Sequence, residues 1–454
     1  MSHIQRVVGE APSATAVHRH RVSHDLEALA DALGVDDLPA VATSVGPAVW
    51  VDHAVDVTAT EWLRGFARRR TSSTIRGHAQ RLVGWISFLR DVRATTYWHA
   101  TTDDFDQFQA SMRWPDDGEL GITTGWTGYV TTIKLFHEWL LTHHGVPLPF
   151  EIITKQGPRG PVQGVDYKPV TDPGVRVTPL LPAELSDLIR AAGRPTPTGR
   201  ERNNRRRDMA VIAYMAATAA RLQTTSLVTT YEFPELRGRG PYVTVRHAAA
   251  ISKNKKGTQL NGLTSLLGHV RSYIHGDREL AAGQRRHRPR QPLTVAPDRT
   301  DRTEVHVTTP AGQSLHTKWD HFEEPDRLRL VNPDGSSPVL FLTQNGRPLQ
   351  RDSIQKLVRG AATHCVAHDR AFPTDVHPHS LRHTWATFMA YAYFLGDSDL
   401  YAEGDRIVTY RREETAAGKV QADLRHTDPD TTNIYVHQMA RLHEVGLGDI
   451  KTVR

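Results

Sequence analysis

The chain has 454 residues, 39% of them hydrophobic, with nine Trp, a formal net charge of +6 and a sequence pI near 9.4. That is enough apolar material for two or three domains and excludes a disordered tail protein, while the basic balance favours a polyanionic partner. A single cysteine, Cys365, excludes an intrachain disulfide or a Cys-rich zinc site and fits a reducing cytoplasm.

The N-terminus "MSHIQRVVGEAPSATAVHRH" lacks an apolar signal core, and no later run is long enough to span a membrane. A soluble, cytoplasmic protein with no membrane partner is expected. Residues 1–45 read as an N-terminal extension with one short helix near "HDLEALADAL". In "TSSTIRGHAQRLVGWISFLRDV", Ile75, Ala79, Leu82, Ile86 and Leu89 step by four and three, one face of a helix after Ser/Thr caps. A shorter helix follows Thr102, with Phe105, Phe108 and Met112 on one side. A third carries Tyr129, Ile133, Phe136 and Leu140 and ends at Gly145. Residues 46–150 are therefore expected as a small helical domain.

The stretch 151–179 is dense in Gly and Pro and without periodicity, and reads as a linker. The second domain, 180–454, opens with the helix "LPAELSDLIRAAG", followed by a longer one at "RDMAVIAYMAATAARL". Strand-like segments are "PYVTVRH", leading to the turn "SKNKKG", and later "PVLFLT"; the remainder reads as mostly helical. The loop "AAGQRRHRPRQP" has four Arg within 285–290, either solvated or lying along phosphates. The expected fold class is mainly α with a small β-sheet.

The chain contains no HExxH, no GxxxxGK[ST] phosphate loop and no GxSxG elbow. His377 and His379 in "VHPHS" offer two metal-ligand nitrogens, but no acids or cysteines cluster near them. In "HPHSLRHTWATFMA", His379 and Arg382 are three apart and share a face at a helix start, where free backbone N–H groups suit an anion. In "LRHTDPDTTNIYVH", Tyr435 lies nine positions after His426 in a polar run. Alone, it reads as a packing residue with a wet hydroxyl.

Together, these two stretches resemble the tyrosine recombinase (phage integrase) family, in which an H-x-x-R box precedes a G-H box and then a Tyr. The resemblance extends upstream. "MAATAARLQTTSLVTT" looks like the first arginine box, with Arg221 at its catalytic position, and "SKNKKG" looks like the lysine-bearing β-hairpin. Lys253 matches by register, with Lys255 and Lys256 as rivals. The resemblance covers residues 46–440 and implies a helical core-binding (SAM-like) domain plus an α/β catalytic domain, forming a C-shaped clamp on DNA. Its site would comprise Arg221, Lys253, His379, Arg382, His426 and the nucleophile Tyr435, with no cofactor and no metal. The implied partners are double-stranded DNA, three further copies in a homotetramer, and accessory DNA-binding proteins; the implied location is the nucleoid.

The chain departs from the family pattern at three places. Thr224 stands where an acid is usual, three residues after Arg221. Arg382 and His426 are 44 residues apart, with an apparent insertion at 395–420, and a second insertion covers 283–325. A lesser variation is Arg425 in "LRH", where "LGH" is common.

The chemistry that the resemblance implies explains the residue types. Attack on a DNA phosphodiester builds charge on the non-bridging oxygens, and permanently charged guanidinium forks match that geometry. Arg221 and Arg382 would supply the forks. His379 and His426 would hydrogen-bond the phosphate, with His379 assisting proton transfer from Tyr435, and Lys253 would protonate the leaving 5′-oxygen. Tyr435 would hold the 3′-phosphate covalently, as an integrase or transposase requires. A type IB topoisomerase uses similar chemistry. A silent DNA-binding remnant of a mobile element and a metal-dependent nuclease are the rival classes.

Overall fold

The computed structural model describes residues 48–51, 54–68, 70, 72–113, 125–157, 160–167, 179–194, 204–236, 240–284, 287–297, 301–394, 402–403, 406–407 and 413–424. The chain divides into two compact units, Met1–Val175 and Arg176–Arg454. The expectation of a mainly helical protein with small sheets is borne out.

In the first unit a two-residue hairpin, β1 (Trp50–Val51) and β2 (Ala54–Val55), precedes the helices α1 (Val57–Ala67), α2 (Ser72–Asp91), α3 (Thr102–Arg113) and α4 (Trp126–His144). Asp56 caps α1, its carboxylate accepting from the Ala59 N–H at 2.8 Å. The apolar stripes read from the sequence form the core: Ala79, Leu82, Ile86, Leu89, Phe105, Phe108, Ile133, Phe136 and Leu140 are all buried. Gly145 ends α4 in the left-handed region at φ +68°, which a glycine adopts without steric cost. The Trp85 indole N–H donates to His137 Nε2 at 3.1 Å. Burial pushes that imidazole down to about 3, so it stays a neutral acceptor.

Within the segment expected as a linker, residues 152–165 form a hairpin. Strands β3 (Ile152–Gly157) and β4 (Gly160–Val165) pair antiparallel, from Ile152↔Val165 to Gly157↔Gly160. Val165 is buried in the first unit's core. Gly157 and Gly160 pair at the end of the hairpin and Pro161 stands opposite Gln156, so these residues punctuate a hairpin that they had hidden.

The second unit opens with α5 (Pro182–Ala192), whose Glu184 carboxylate accepts from the Leu181 N–H at 2.6 Å. Helix α6 (Arg205–Thr218) is buried all round from Ala210 onward, as a central core helix must be. Ala219 then turns left-handed at φ +49° and leads into the short α7 (Leu222–Leu227). Strands β5 (Tyr242–His247) and β6 (Thr258–Leu263) form the expected hairpin, and α8 (Thr264–Ile274) and α9 (Asp277–Gly283) follow.

The next stretch, expected to be mostly helical, is instead a sheet. Strands β7 (Leu293–Pro297), β8 (Glu304–Thr308), β9 (Ser314–Lys318) and β10 (Leu330–Val331) pair in the order β10-β7-β8-β9, with only β10–β7 parallel. Each strand has at most five residues, so its alternation (Val305 and Val307 buried, His306 exposed) is too short to stand out. The four-residue helix α10 (Glu324–Arg327) closes this insertion, and Arg327 is 0% exposed. Its guanidinium pairs with Glu232 at 2.6 Å and donates to the carbonyls of Leu227, Trp319 and Phe322.

"PVLFLT" makes only isolated bridges, Thr229↔Val339 and Leu342↔Pro348, rather than a strand. Two of its carbonyls are taken by a side chain: Arg278 donates to Val339 and Leu340 at 2.9–3.0 Å, and to Ser337 just before them at 2.8 Å. The C-terminal part of the unit contains α11 (Arg351–His368), α12 (Pro378–Phe394), a minimal hairpin of β11 (Ala402–Glu403) with β12 (Arg406–Ile407), and α13 (Glu413–Leu424). The last helix starts within the insertion expected at 395–420 and runs past it.

Candidate active site

Helix α12 carries two of the predicted residues and starts as the sequence suggests. Ser380 caps it: its Oγ accepts from the His377 N–H at 3.2 Å, and its N–H donates to the His377 carbonyl at 2.9 Å. His377 Nδ1 sits 2.7 Å from that same Oγ, so this ring serves the helix start. Among the described residues, no group of three or more His, Cys, Asp or Glu is placed to hold a metal ion. The helix is buried from Ser380 to Tyr393 and is fixed at both flanks. The Trp385 indole donates to Asn261 O on β6 at 3.0 Å, and Thr384 Oγ1 accepts from the Leu180 N–H at 3.0 Å.

Arg382 is consequently an interior residue, 4% exposed. One terminal nitrogen donates to Ala219 O at 2.7 Å and the other to Leu424 O at 2.9 Å. Ala219 lies two residues before Arg221, and Leu424 two before His426. A single guanidinium therefore ties together the ends of three sequence boxes that are far apart in the chain. Leu424 is itself anchored. Asp423 beside it accepts from the Tyr393 hydroxyl at 2.7 Å and pairs with Lys419 one turn back on α13.

Arg221 begins α7 in extended conformation, its carbonyl accepting the Thr225 N–H at 2.9 Å and the Thr225 hydroxyl at 3.1 Å. The side chain is half-buried. His379 is exposed, its ring edge-on to His383 with centroids 4.4 Å apart. Loss of hydration among crowded neighbours, then the charges of Arg382, His377, Arg221 and Lys253, push its imidazole down to about 4. The ring is thus neutral at pH 7 and still open to an incoming anion. Arg221, Lys253 and Arg382 thus all lie within electrostatic reach of His379.

The hairpin lysines separate clearly. Lys253 is exposed in a single-turn 3-10 segment, Lys253–Lys255. Lys255 takes a left-handed backbone (φ +50°) and its ammonium pairs with Glu323. Lys256 is exposed beyond that turn. Thr224, where the family has an acid, is buried and donates its hydroxyl to Ile251 O at 3.0 Å, two residues before Lys253.

One site residue escaped sequence reasoning. His247, the last residue of β5, is 4% exposed, with Nδ1 3.3 Å from Thr258 Oγ1 and no hydrogen-bond partner for Nε2. Burial, then the charges of Arg382 and Arg221, push it down to about 3. Its signal was the strand alternation that turns Val245 and His247 inward just before the lysine turn. His426 and Tyr435 lie outside the described residues, as do the expected N-terminal extension and the tail after Tyr435.

Two arginines, a neutral histidine and an exposed lysine within electrostatic reach of that histidine gather cationic groups in this part of the second unit. The family resemblance read from the sequence is borne out by comparison with known proteins. Over 128 residues, 28% of this chain, it is 27% identical to the tyrosine recombinase XerD of Listeria innocua, and it matches XerD of Listeria monocytogenes equally well. The chain spans about a third (34%) of the length of these curated relatives. No protein-family model matches it. Among solved structures, it is similar to the XerH site-specific recombinase bound to palindromic difH substrate in a post-cleavage complex (TM-score 0.47, 14% identity, covering 84% of this chain and 80% of that one). It is also similar to the Tn1549 transposon integrase in complex with transposon right end DNA (0.45, 13%, 86% and 99%) and to a lambda integrase dimer bound to a COC′ core site (0.42, 10%, 85% and 95%).

Proposed function

We propose that this protein is a site-specific DNA recombinase of the integrase or transposase type, which breaks and rejoins strands through a 3′-phosphotyrosine on Tyr435. The observation that carries the reading is the Arg382 guanidinium bonded to both Ala219 and Leu424, because it draws the arginine boxes and the approach to His426 to one point. Arg221 and Arg382 stabilise the charge that grows on the non-bridging oxygens. His379 and His426 hydrogen-bond the phosphate, and His379 takes the Tyr435 proton. Lys253 protonates the 5′-oxygen as it leaves. No metal is needed, since fixed cations do the work of one. The protein binds duplex DNA, four copies assemble on paired sites with accessory DNA-binding proteins, and the protein works at the nucleoid. Thr224 favours activity over the silent-remnant reading, because its bond to Ile251 O gives the missing acid's position a task at the lysine turn.

The test is a nicked suicide duplex carrying the inverted repeats or attachment site that flank the gene. The chain should be trapped on the 3′ side of the break in the presence of EDTA, with a free 5′-hydroxyl as the other product. Tyr435→Phe should bind the duplex normally and give no adduct. An adduct that survives in Tyr435→Phe, or cleavage abolished by EDTA, would defeat the proposal.

A further inference from the structure

The connection between β5 and β6 runs from Ala248 to Gly257 and holds no ladder of its own, only two single-turn segments, Ala249–Ile251 and Lys253–Lys255. Left alone, ten such residues would let an exposed lysine wander over several ångströms. They are instead pinned from two directions. On one side Thr224 holds Ile251 O, and Ile251 is itself buried. On the other stands Asp320, in the inserted stretch just after β9. One of its carboxylate oxygens accepts from the Ala249 N–H at 2.5 Å, and the other pairs with the Arg246 guanidinium. Three residues on, Glu323 pairs with Lys255.

The stretch that supplies these two acids is rigid. Trp319 and Phe322 are buried, and Arg327 holds both of their carbonyls. The same guanidinium grips Leu227 O at the end of α7, the helix that begins after Arg221. Insertion, arginine helix and lysine turn thus form a closed circuit. The Lys255–Glu323 pair is exposed and adds little to stability. Its effect is positional, because it draws the Lys255 ammonium towards the insertion.

We infer that Asp320 is a positioning residue for Lys253, and that the stretch after β9 belongs to the active-site apparatus as the brace of the lysine turn. The inference rests on the recombinase reading. In the step concerned, the Tyr435 oxygen bonds to phosphorus as the bond from phosphorus to the 5′-oxygen breaks. The electron pair goes to that oxygen, and Lys253 gives it a proton, which religation returns. Asp320 touches none of the reacting atoms; it decides whether the ammonium arrives.

The experiment uses the full chain and two nicked duplexes, one with the natural 5′-oxygen at the scissile phosphate and one with 5′-sulfur, which leaves as a thiolate without needing a proton. Asp320→Ala should slow adduct formation on the oxygen substrate by ~10- to 100-fold, leave DNA affinity within about two-fold, and cleave the sulfur substrate at close to the unsubstituted rate. Asp320→Asn keeps an acceptor for the Ala249 N–H, so its loss should be smaller. Equal slowing on both substrates, or none on either, would sink the inference. Amide exchange supplies a readout independent of chemistry: residues 248–257 should exchange faster in Asp320→Ala, with the helices unchanged. If the unsubstituted chain forms no adduct on either duplex, the recombinase reading fails and the role of Lys253 with it. Unaltered exchange in an active protein would overturn the brace alone.

Discussion

The arginine and lysine sides of the site are built on opposite plans. Arg382 is interior, locked to two backbone carbonyls, and its helix is buried along most of its length. Lys253 is exposed on a single-turn segment whose backbone is pinned at Ala249 and Ile251. The difference follows from the tasks proposed for them. A guanidinium that must meet charge at fixed oxygens gains from being set in advance, because no reorganisation is then required during reaction. A proton donor must reach one atom and take its proton back, so it needs a fixed base and a free end.

The largest effect should come from cutting the interior side. Arg382→Ala leaves Ala219 O and Leu424 O buried without their donors, which should cost about 2–5 kcal/mol of stability in the second unit. It should also abolish most strand cleavage. Arg382→Lys should recover little of either, since an ammonium cannot span both carbonyls as the planar fork does. Half-buried Arg221 offers the contrast. Arg221→Ala should lose cleavage comparably while costing roughly 1 kcal/mol or less in stability. Thermal unfolding and suicide-substrate trapping on the same two variants would check this, and equal destabilisation would remove the distinction between the arginines.

On the exposed side, Lys253→Ala should leave the melting temperature unchanged and slow cleavage of the oxygen substrate, with the 5′-sulfur substrate restoring the rate. Lys255→Ala should do far less, since that ammonium is engaged by Glu323. If Lys255→Ala or Lys256→Ala alone showed the sulfur rescue, the acid would be reassigned.

How much of this the sequence displayed depended on the distance over which each contact acts. The stripes from Ile75 to Leu89 and from Tyr129 to Leu140 were legible because helical periodicity is local. The arginine, lysine and histidine boxes were legible as short ordered motifs. The partners of Arg382 lie 163 and 42 residues away, and those of Asp320 71 and 74. No window reading reaches such pairs. "PVLFLT" looked like a strand because its side chains fit one, while two of its carbonyls were claimed by Arg278 from 61 and 62 residues away. The inserted sheet was missed because strands of two to five residues give almost no period to read.

His379 sharpens the comparison through pH. Its folded value of about 4 lies below the ordinary 6.5, so between these limits the unfolded chain binds more protons than the folded one. This residue's contribution to stability is therefore complete above about pH 6.5 and is lost as pH falls towards 4. His379→Asn should flatten the fall in unfolding midpoint across that window and leave the midpoint above pH 7 nearly unchanged. A slope identical in the two proteins would show that His379 is not held neutral by lost hydration and its cationic neighbours. Bound phosphate should pull the imidazole upward and shrink the same difference.

The smallest effect tests how rigid the arginine side has to be. Ala219 sits at φ +49° with its carbonyl gripped by Arg382, and an L-residue in that region carries ~1–2 kcal/mol of steric cost. Glycine would relieve it, but loses ~0.5–1 kcal/mol through the greater freedom of its unfolded chain. The difference leaves Ala219→Gly slightly more stable, by about 0.5–1 kcal/mol, or a rise of ~1–3 °C in melting temperature for a unit of this size. Cleavage should not change, because the carbonyl that Arg382 holds remains in place. Ala219→Val is the matched control: its branched side chain suits the left-handed region worse and should lower both melting temperature and cleavage. A lower midpoint for Ala219→Gly would mean that packing of the fully buried Ala219 methyl outweighs backbone strain. Wild-type midpoint with reduced cleavage would mean that the alanine stiffens the approach to Arg221, extending the fixed side of the site from Arg382 to the backbone that leads into the other arginine.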